Sequence, residues 1–206
     1  MKGKTDSGLS EVVSMSLILA IVILAIAILA LVALPIMGTN AEREHNGDVF
    51  LEFAHMKADV DTVWLSKSFG VTRQAVFTLS PTGDRTEITV VPNLFSAASF
   101  GEVTLSYIPL AGAYSNYAEV KITYNSSNMY AEEMKISYDG GTLKQNGRVI
   151  LPGSSGTGRH IVAVNKTYVP EKTIGGAGVA TLEYRLEEII PYGSDQLYVF
   201  SMRLQL

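Results

Sequence analysis

From Leu17 to Leu34 the chain carries no polar side chain. At about 1.5 Å of rise per residue, those roughly 18 residues make a helix about 27 Å long, close to the thickness of a bilayer's hydrocarbon core. Val12–Ser16 lengthen it comfortably. A helix that is apolar on every side has no face to turn to water, so lipid or closely packed sister helices must cover it. A cleaved secretory signal is a poor match. Its apolar part spans about 7–15 residues and ends at a small-residue cut site. This run is longer, and Thr39-Asn40-Ala41 behind it is a weak cut site.

Lys2 and Lys4 precede the run, and mixed charges follow it. Basic residues stay on the cytoplasmic side, so the expected layout is single-pass, with the N-terminus inside and everything after the run outside. The remainder is long enough to bury its own core. From about residue 70 it is rich in Thr, Tyr, Val, Gly and Ser, a composition suited to β-strands. The chain of 206 residues has no cysteine, which excludes disulfides, thiolate catalysis and cysteine metal sites. A net charge of -4 without a basic patch argues against nucleic acid as a partner.

Glu11 stands at the front edge of the run. A carboxylate there is tolerated if it reaches headgroups or water. A sharper role needs a counter-charge. Removal of the short leader would create an α-amino group within a turn of Glu11 on every copy of the chain. In side-by-side helices, Glu11 of one copy can pair with the amine of the next. Pairing offsets the desolvation of both charges and sets the axial register.

A short polar leader, Gly8, and then Leu9-Ser10-Glu11-Val12-Val13 opening a long apolar helix resembles archaeal type IV pilin-like proteins. The resemblance covers about residues 1–40. It implies a class III signal cut after Gly8 by a prepilin peptidase, with Leu9 as the mature N-terminus and Glu11 as the subunit-pairing acid. It further implies residence in the membrane before assembly, partnership with a pilus assembly machinery, and self-association through the N-terminal helix. Ser7 stands directly before Gly8, where the family has a basic residue, and Lys4 lies further back.

Pro35 lacks an amide hydrogen and would leave the Leu31 carbonyl without its helical partner. With Gly38 behind it, the helix is expected to kink or stop, and "GTNAERE" reads as a polar hinge. A second, amphipathic helix is expected from Asp48 to Ser68, with Asn46 or Asp48 as its cap. Val49, Phe53, Met56, Val60 and Trp64 form its apolar face, most simply as core.

Beyond Val71 the pattern is strand and turn. "VFTL" and "TEITVV" flank Ser80-Pro81-Thr82-Gly83-Asp84 as a hairpin, and Asn146-Gly147 is the strongest hairpin turn in the chain. In "QLYVFSMRLQL", Tyr198, Phe200, Met202, Leu204 and Leu206 alternate onto one face. Eight or nine strands with short turns suggest an antiparallel sandwich or a wrapped sheet, a sandwich-like β-rich domain. The expected class is α+β. Residues 1-8 are the leader, 9-38 the apolar helix, 39-69 the hinge and amphipathic helix, and 70-206 the extracellular β-rich domain.

Catalytic and cofactor motifs are not legible. Gly153 and Gly158 have phosphate-loop spacing, but Arg159 and His160 stand where Lys and Ser or Thr are needed, and a strand follows. His45, His55 and His160 show no metal-ligand spacing. The pairs Glu132-Glu133 and Glu187-Glu188 read as solvated charge, with weak calcium binding a distant second. Asn125-Ser126-Ser127 and Asn165-Lys166-Thr167 are N-glycosylation sequons, expected in a polar loop and at a strand end respectively. The sequence therefore points to a non-enzymatic surface protein without cofactors. The preferred form is a pilin-like filament subunit supporting adhesion. The alternative is a monomeric, membrane-anchored ectodomain that binds a ligand or partner protein.

Overall fold

The computed structural model describes residues 5–81, 99–153 and 160–206. One helix, α1 (Thr5–Ser66), runs without interruption for 62 residues. At about 1.5 Å per residue it is about 93 Å long. The helix does not stop at Pro35–Gly38, "GTNAERE" is helical, and no separate second helix starts at Asp48. Pro35 costs one helical hydrogen bond locally. Contacts of the following turns with the β-domain, described below, favour helical backbone beyond it.

Ten strands follow among the described residues: β1 (Thr72–Thr78), β2 (Phe100–Pro109), β3 (Tyr117–Ser127), β4 (Lys135–Asp139) and β5 (Thr142–Gln145), then β6 (Arg148–Leu151), β7 (His160–Asn165), β8 (Lys172–Gly176), β9 (Val179–Tyr192) and β10 (Asp195–Gln205). A short 3-10 turn, Gly112–Tyr114, separates β2 from β3. The expected "TEITVV" arm of the first hairpin and most of the Gly153–Gly158 loop lie outside the described residues. Asn146 and Gly147 both have positive φ, 48° and 80°, the backbone that a tight hairpin turn requires. They join β5 to β6 as expected.

The strands form one curled, mixed sheet rather than two separately bonded layers. Its path runs β1-β9-β10-β7-β3-β4-β5-β6, and β2 joins β3 to β8. The reason lies in β3. One of its edges pairs with β2 from Ala118 to Ser127. Its remaining pairing is divided between β7 at Tyr117–Glu119 and β4 at Lys121–Asn125. The sheet therefore branches at β3 instead of separating. Leu79 then ties the β1 end of the path to the β2–β8 branch, donating its N–H to the Gly178 carbonyl at 2.8 Å and accepting from the Gly101 N–H. One pair, β7 with β10, is parallel, because β8 joins β2 before the β9–β10 hairpin brings the chain back beside β7.

The distal part of α1 lies against β1, β4 and β5. Val49, Phe53, Met56, Val60 and Val63 are buried with Phe77, Tyr138 and Phe200 in one core, and Trp64 is half-buried at its margin. Full burial of such side chains contributes about 1.5–3 kcal/mol each, so this stretch of helix belongs to the globular domain. In β10, Tyr198, Phe200, Met202 and Leu204 enter that core, while Leu206 is 80% exposed. Leu197 and Val199 enter a second, smaller cluster on the other face, with Ile161 and Ala163 and beside Tyr114 and Tyr117.

Gly101 is where β2 passes the fully buried ring of Tyr124. A Cβ built on it would lie 2.4 Å from that ring. Gly101→Ala is therefore expected to destabilise the domain by about 1–3 kcal/mol, the usual cost of overpacking a filled core. A lowered urea midpoint with an unchanged slope would show it. An unchanged midpoint would mean that the ring moves aside freely.

Candidate functional site

Two features of α1 set what this molecule can do. The first is its uncovered apolar length. Between Glu11 and Met37 no described side chain is buried. Met15 is 75% exposed and Leu31 77%. This helix is long and apolar enough to cross a membrane. Exposed apolar surface on this scale marks a site of membrane or protein contact. Glu11 is exposed on the same stretch, and the backbone of Gly8 and Leu9 continues the helix towards the N-terminus. No described residue of the β-domain covers this stretch, so none of the described residues buries Glu11 against a counter-charge.

The second feature is the junction with the β-domain. Gly38, Glu42, His45, Val49, Phe53, Met56, Val60 and Val63 follow one another at steps of three or four residues, which places them on one helix face. The lower end of that face is polar. Glu42 is 2% exposed. One carboxylate oxygen accepts the Met129 N–H at 2.8 Å and the Ser99 hydroxyl. The other accepts the N–H groups of Tyr130 at 2.9 Å and Ala131 at 2.5 Å. Three successive amides of the β3–β4 connection thus form a nest for a carboxylate supplied by the helix. Burial pushes the Glu42 carboxyl up, but the Ser99, Ala131, Met129 and Tyr130 hydrogen bonds outweigh it and hold its pKa below the ordinary range.

The neighbouring turns of α1 complete the junction. His45 Nε2 lies 3.0 Å from the Tyr124 hydroxyl, in the same buried layer. The Tyr130 ring lies so close to Gly38 that a Cβ there would be 2.2 Å from it. Gly38 is a point of close approach, not a break. Glu42, His45 and Gly38 are not legible as domain-facing residues from an apolar stripe, because two are polar and one has no side chain. The available signal was the extension of the Val49–Val60 spacing upstream through polar residues.

Further along α1, Lys57 is buried and paired with Asp61 at 2.6 Å. Asp59 accepts from Arg73 of β1 at 3.1 Å. Trp64 stacks on His160 of β7 with ring centroids 4.0 Å apart. The histidines are thus separated: His45 joins Tyr124, His160 joins Trp64, and His55 is exposed. Among the described residues no group of three potential ligands converges on a metal position.

A cleft of about 450 Å³ opens between Arg43, Asn46 and Phe50 of α1 and Glu132, Glu133 and Asn146. Its guanidinium, carboxylate and amide groups offer hydrogen bonds and charge to a polar partner. Glu188 accepts from the Tyr117 hydroxyl at 3.0 Å, and Glu187 pairs with Arg185 at 2.6 Å.

The two sequons differ in setting. Asn125 is not in a loop. It lies inside β3, paired with Glu102 of β2 and Lys135 of β4, because the strand runs on to Ser127. Asn165 is the last residue of β7, as expected of a strand end. Comparison with protein families, curated proteins and solved structures finds no match to this chain.

Proposed function

We propose that this chain is a pilin-like structural subunit of an archaeal type IV pilus-like surface filament, supporting adhesion or surface attachment. The observation that carries this reading is the uncovered apolar length of α1, which continues unbroken into the core of the β-domain. Before assembly, lipid covers that length. After assembly, the same length of neighbouring copies does, and the β-domain is displayed on the outside. A helix that the β-domain holds through Glu42 and His45 and that forms part of the core transmits force directly from filament to domain. The leader-like residues before Leu9 support processing by a prepilin peptidase, with Glu11 left near the new amine.

The mature N-terminus tests the pathway. Mass spectrometry of surface material from the native cells should find Leu9 as the first residue. An intact Met1 or Lys2 would place the chain outside the prepilin pathway. It would favour a monomeric anchored ectodomain, whose lipid-facing helix has the same composition. Topology has a separate test. Protease added to cells with an opened surface layer should digest residues 40–206, since Lys2 and Lys4 hold the other end inside. Full protection would overturn the outside placement.

A further inference from the structure

We propose that Asn165, and not Asn125, is an N-glycan acceptor, modified on the folded domain from a lipid-phosphate-linked oligosaccharide. The inference rests on the outside placement of the β-domain proposed above. Both asparagines satisfy the acceptor motif, so the sequence ranks them equally. The fold does not.

A transferase must surround the acceptor tripeptide and bring the Asn amide nitrogen to the sugar's anomeric carbon. Asn125, Ser126 and Ser127 are held in β3 opposite Glu102, Gly101 and Phe100 of β2. Asn125 is also opposite Lys135 of β4. The Ser126 N–H donates to the Met134 carbonyl at 2.8 Å, and its hydroxyl accepts from the Met134 N–H at 2.6 Å. Presenting this tripeptide to an enzyme means stripping it from neighbours on both edges.

Asn165 ends β7 opposite Tyr117 of β3, on one edge only, and Lys166 and Thr167 leave the strand in a turn in which the Lys166 N–H donates to the Asn116 carbonyl at 3.0 Å. Asn165 Oδ1 accepts the Thr167 N–H at 3.0 Å, an Asx turn that the side chain makes with its own backbone. The Tyr168 N–H closes the turn on the Asn165 carbonyl at 3.1 Å. Lys166 and Thr167 are exposed, and Tyr168 is 80% exposed. Asn165 itself lines a groove of about 280 Å³, beside Tyr168, Glu187, Glu188 and Ser201. Asn165 therefore borders open space, and Thr167, which supplies the hydroxyl at the third position of the motif, is exposed.

In the transfer, Nδ2 of Asn165 forms a bond to the anomeric carbon, and the bond from that carbon to the phosphate oxygen breaks. The lipid phosphate leaves with the bonding pair, and the amide proton passes to a base of the transferase. No oxidant or reductant is needed.

The test is peptide mapping by mass spectrometry of full-length protein from its native cells, in a culture whose other surface proteins carry N-glycans. Glycopeptides containing Asn165 and only unmodified peptides containing Asn125 are expected. T167V keeps the backbone N–H of the turn but lacks the hydroxyl, and it should abolish modification. S127A should leave the pattern unchanged. Bare Asn165 on a domain that external protease digests overturns this inference while leaving the outside placement intact. Modified Asn125 overturns the claim that the folded strand excludes it. A domain found in the cytoplasm overturns both readings.

Discussion

Glu11→Gln protein is expected to be made, inserted and folded normally, and to be missing from filaments. In the proposed assembly, the Glu11 carboxylate meets the α-amine of a neighbouring copy between apolar helices. Gln removes the charge and leaves that amine buried without a counter-ion. Breaking one half of a buried pair costs on the order of 3–5 kcal/mol, whereas an exposed pair is worth about 1 or less. Every subunit repeats the contact, so the penalty recurs along the polymer. In the single molecule Glu11 is exposed and far from the domain core, and its loss has no route to unfold the domain. Membrane and sheared-filament fractions from the same culture separate the outcomes. Normal filaments would refute the pairing role. Loss of both fractions would show a defect in insertion or folding instead.

Replacing Glu42 is expected to act on the domain itself. Glu42→Ala leaves the Met129, Tyr130 and Ala131 amides and the Ser99 hydroxyl without their shared acceptor. Ser99 is buried and the three amides are part-buried. A buried donor left unsatisfied costs about 1–3 kcal/mol and a part-buried one less, so a total loss of about 3 kcal/mol is expected. Glu42→Gln should be little better. One of its two terminal atoms becomes an NH₂ group that faces donors. Urea unfolding of the full chain in detergent, followed through Trp64, measures the loss. An unchanged midpoint, with faster amide exchange confined to residues 129–131, would show a local tether with no part in global stability.

The same carboxyl predicts an acid response. Its folded pKa is held below the unfolded value, so the native state favours the ionised form. That contribution is fully present above the ordinary glutamate range, around the reference value of 4.5. It is lost as pH falls through the lower, folded value. Wild-type protein should therefore lose stability in that acid window more steeply than Glu42→Gln, which has no proton to bind there. Parallel pH profiles for the two proteins would overturn this assignment.

The apolar helix was legible because nothing in Leu17–Leu34 admits another solution, and lack of polar atoms is a property of each residue alone. The buried face at Val49, Phe53, Met56 and Val60 was equally legible, since helical spacing is local. So were the Asn146-Gly147 turn and most of the strands, whose alternation and turn residues lie within short stretches. Continuity through Pro35 was not legible. Pro and Gly report local cost, while the compensating contacts come from Ser99, Tyr124 and Tyr130, far along the chain. The branched sheet was hidden for the same reason. A strand's pattern shows which face is buried but not which strands take its two edges, and β3 divides one of its pairings between β4 and β7. The sequons carry the same division. Three adjacent letters make Asn125 and Asn165 equal, and only the hydrogen-bonded neighbours on either side of β3 make them different. Local chemistry thus determined that this chain has a long uncovered helix and a β-rich domain. Pairing between distant segments decided that the two are one continuous body, because a buried carboxylate such as Glu42 is tolerable only where remote donors meet it.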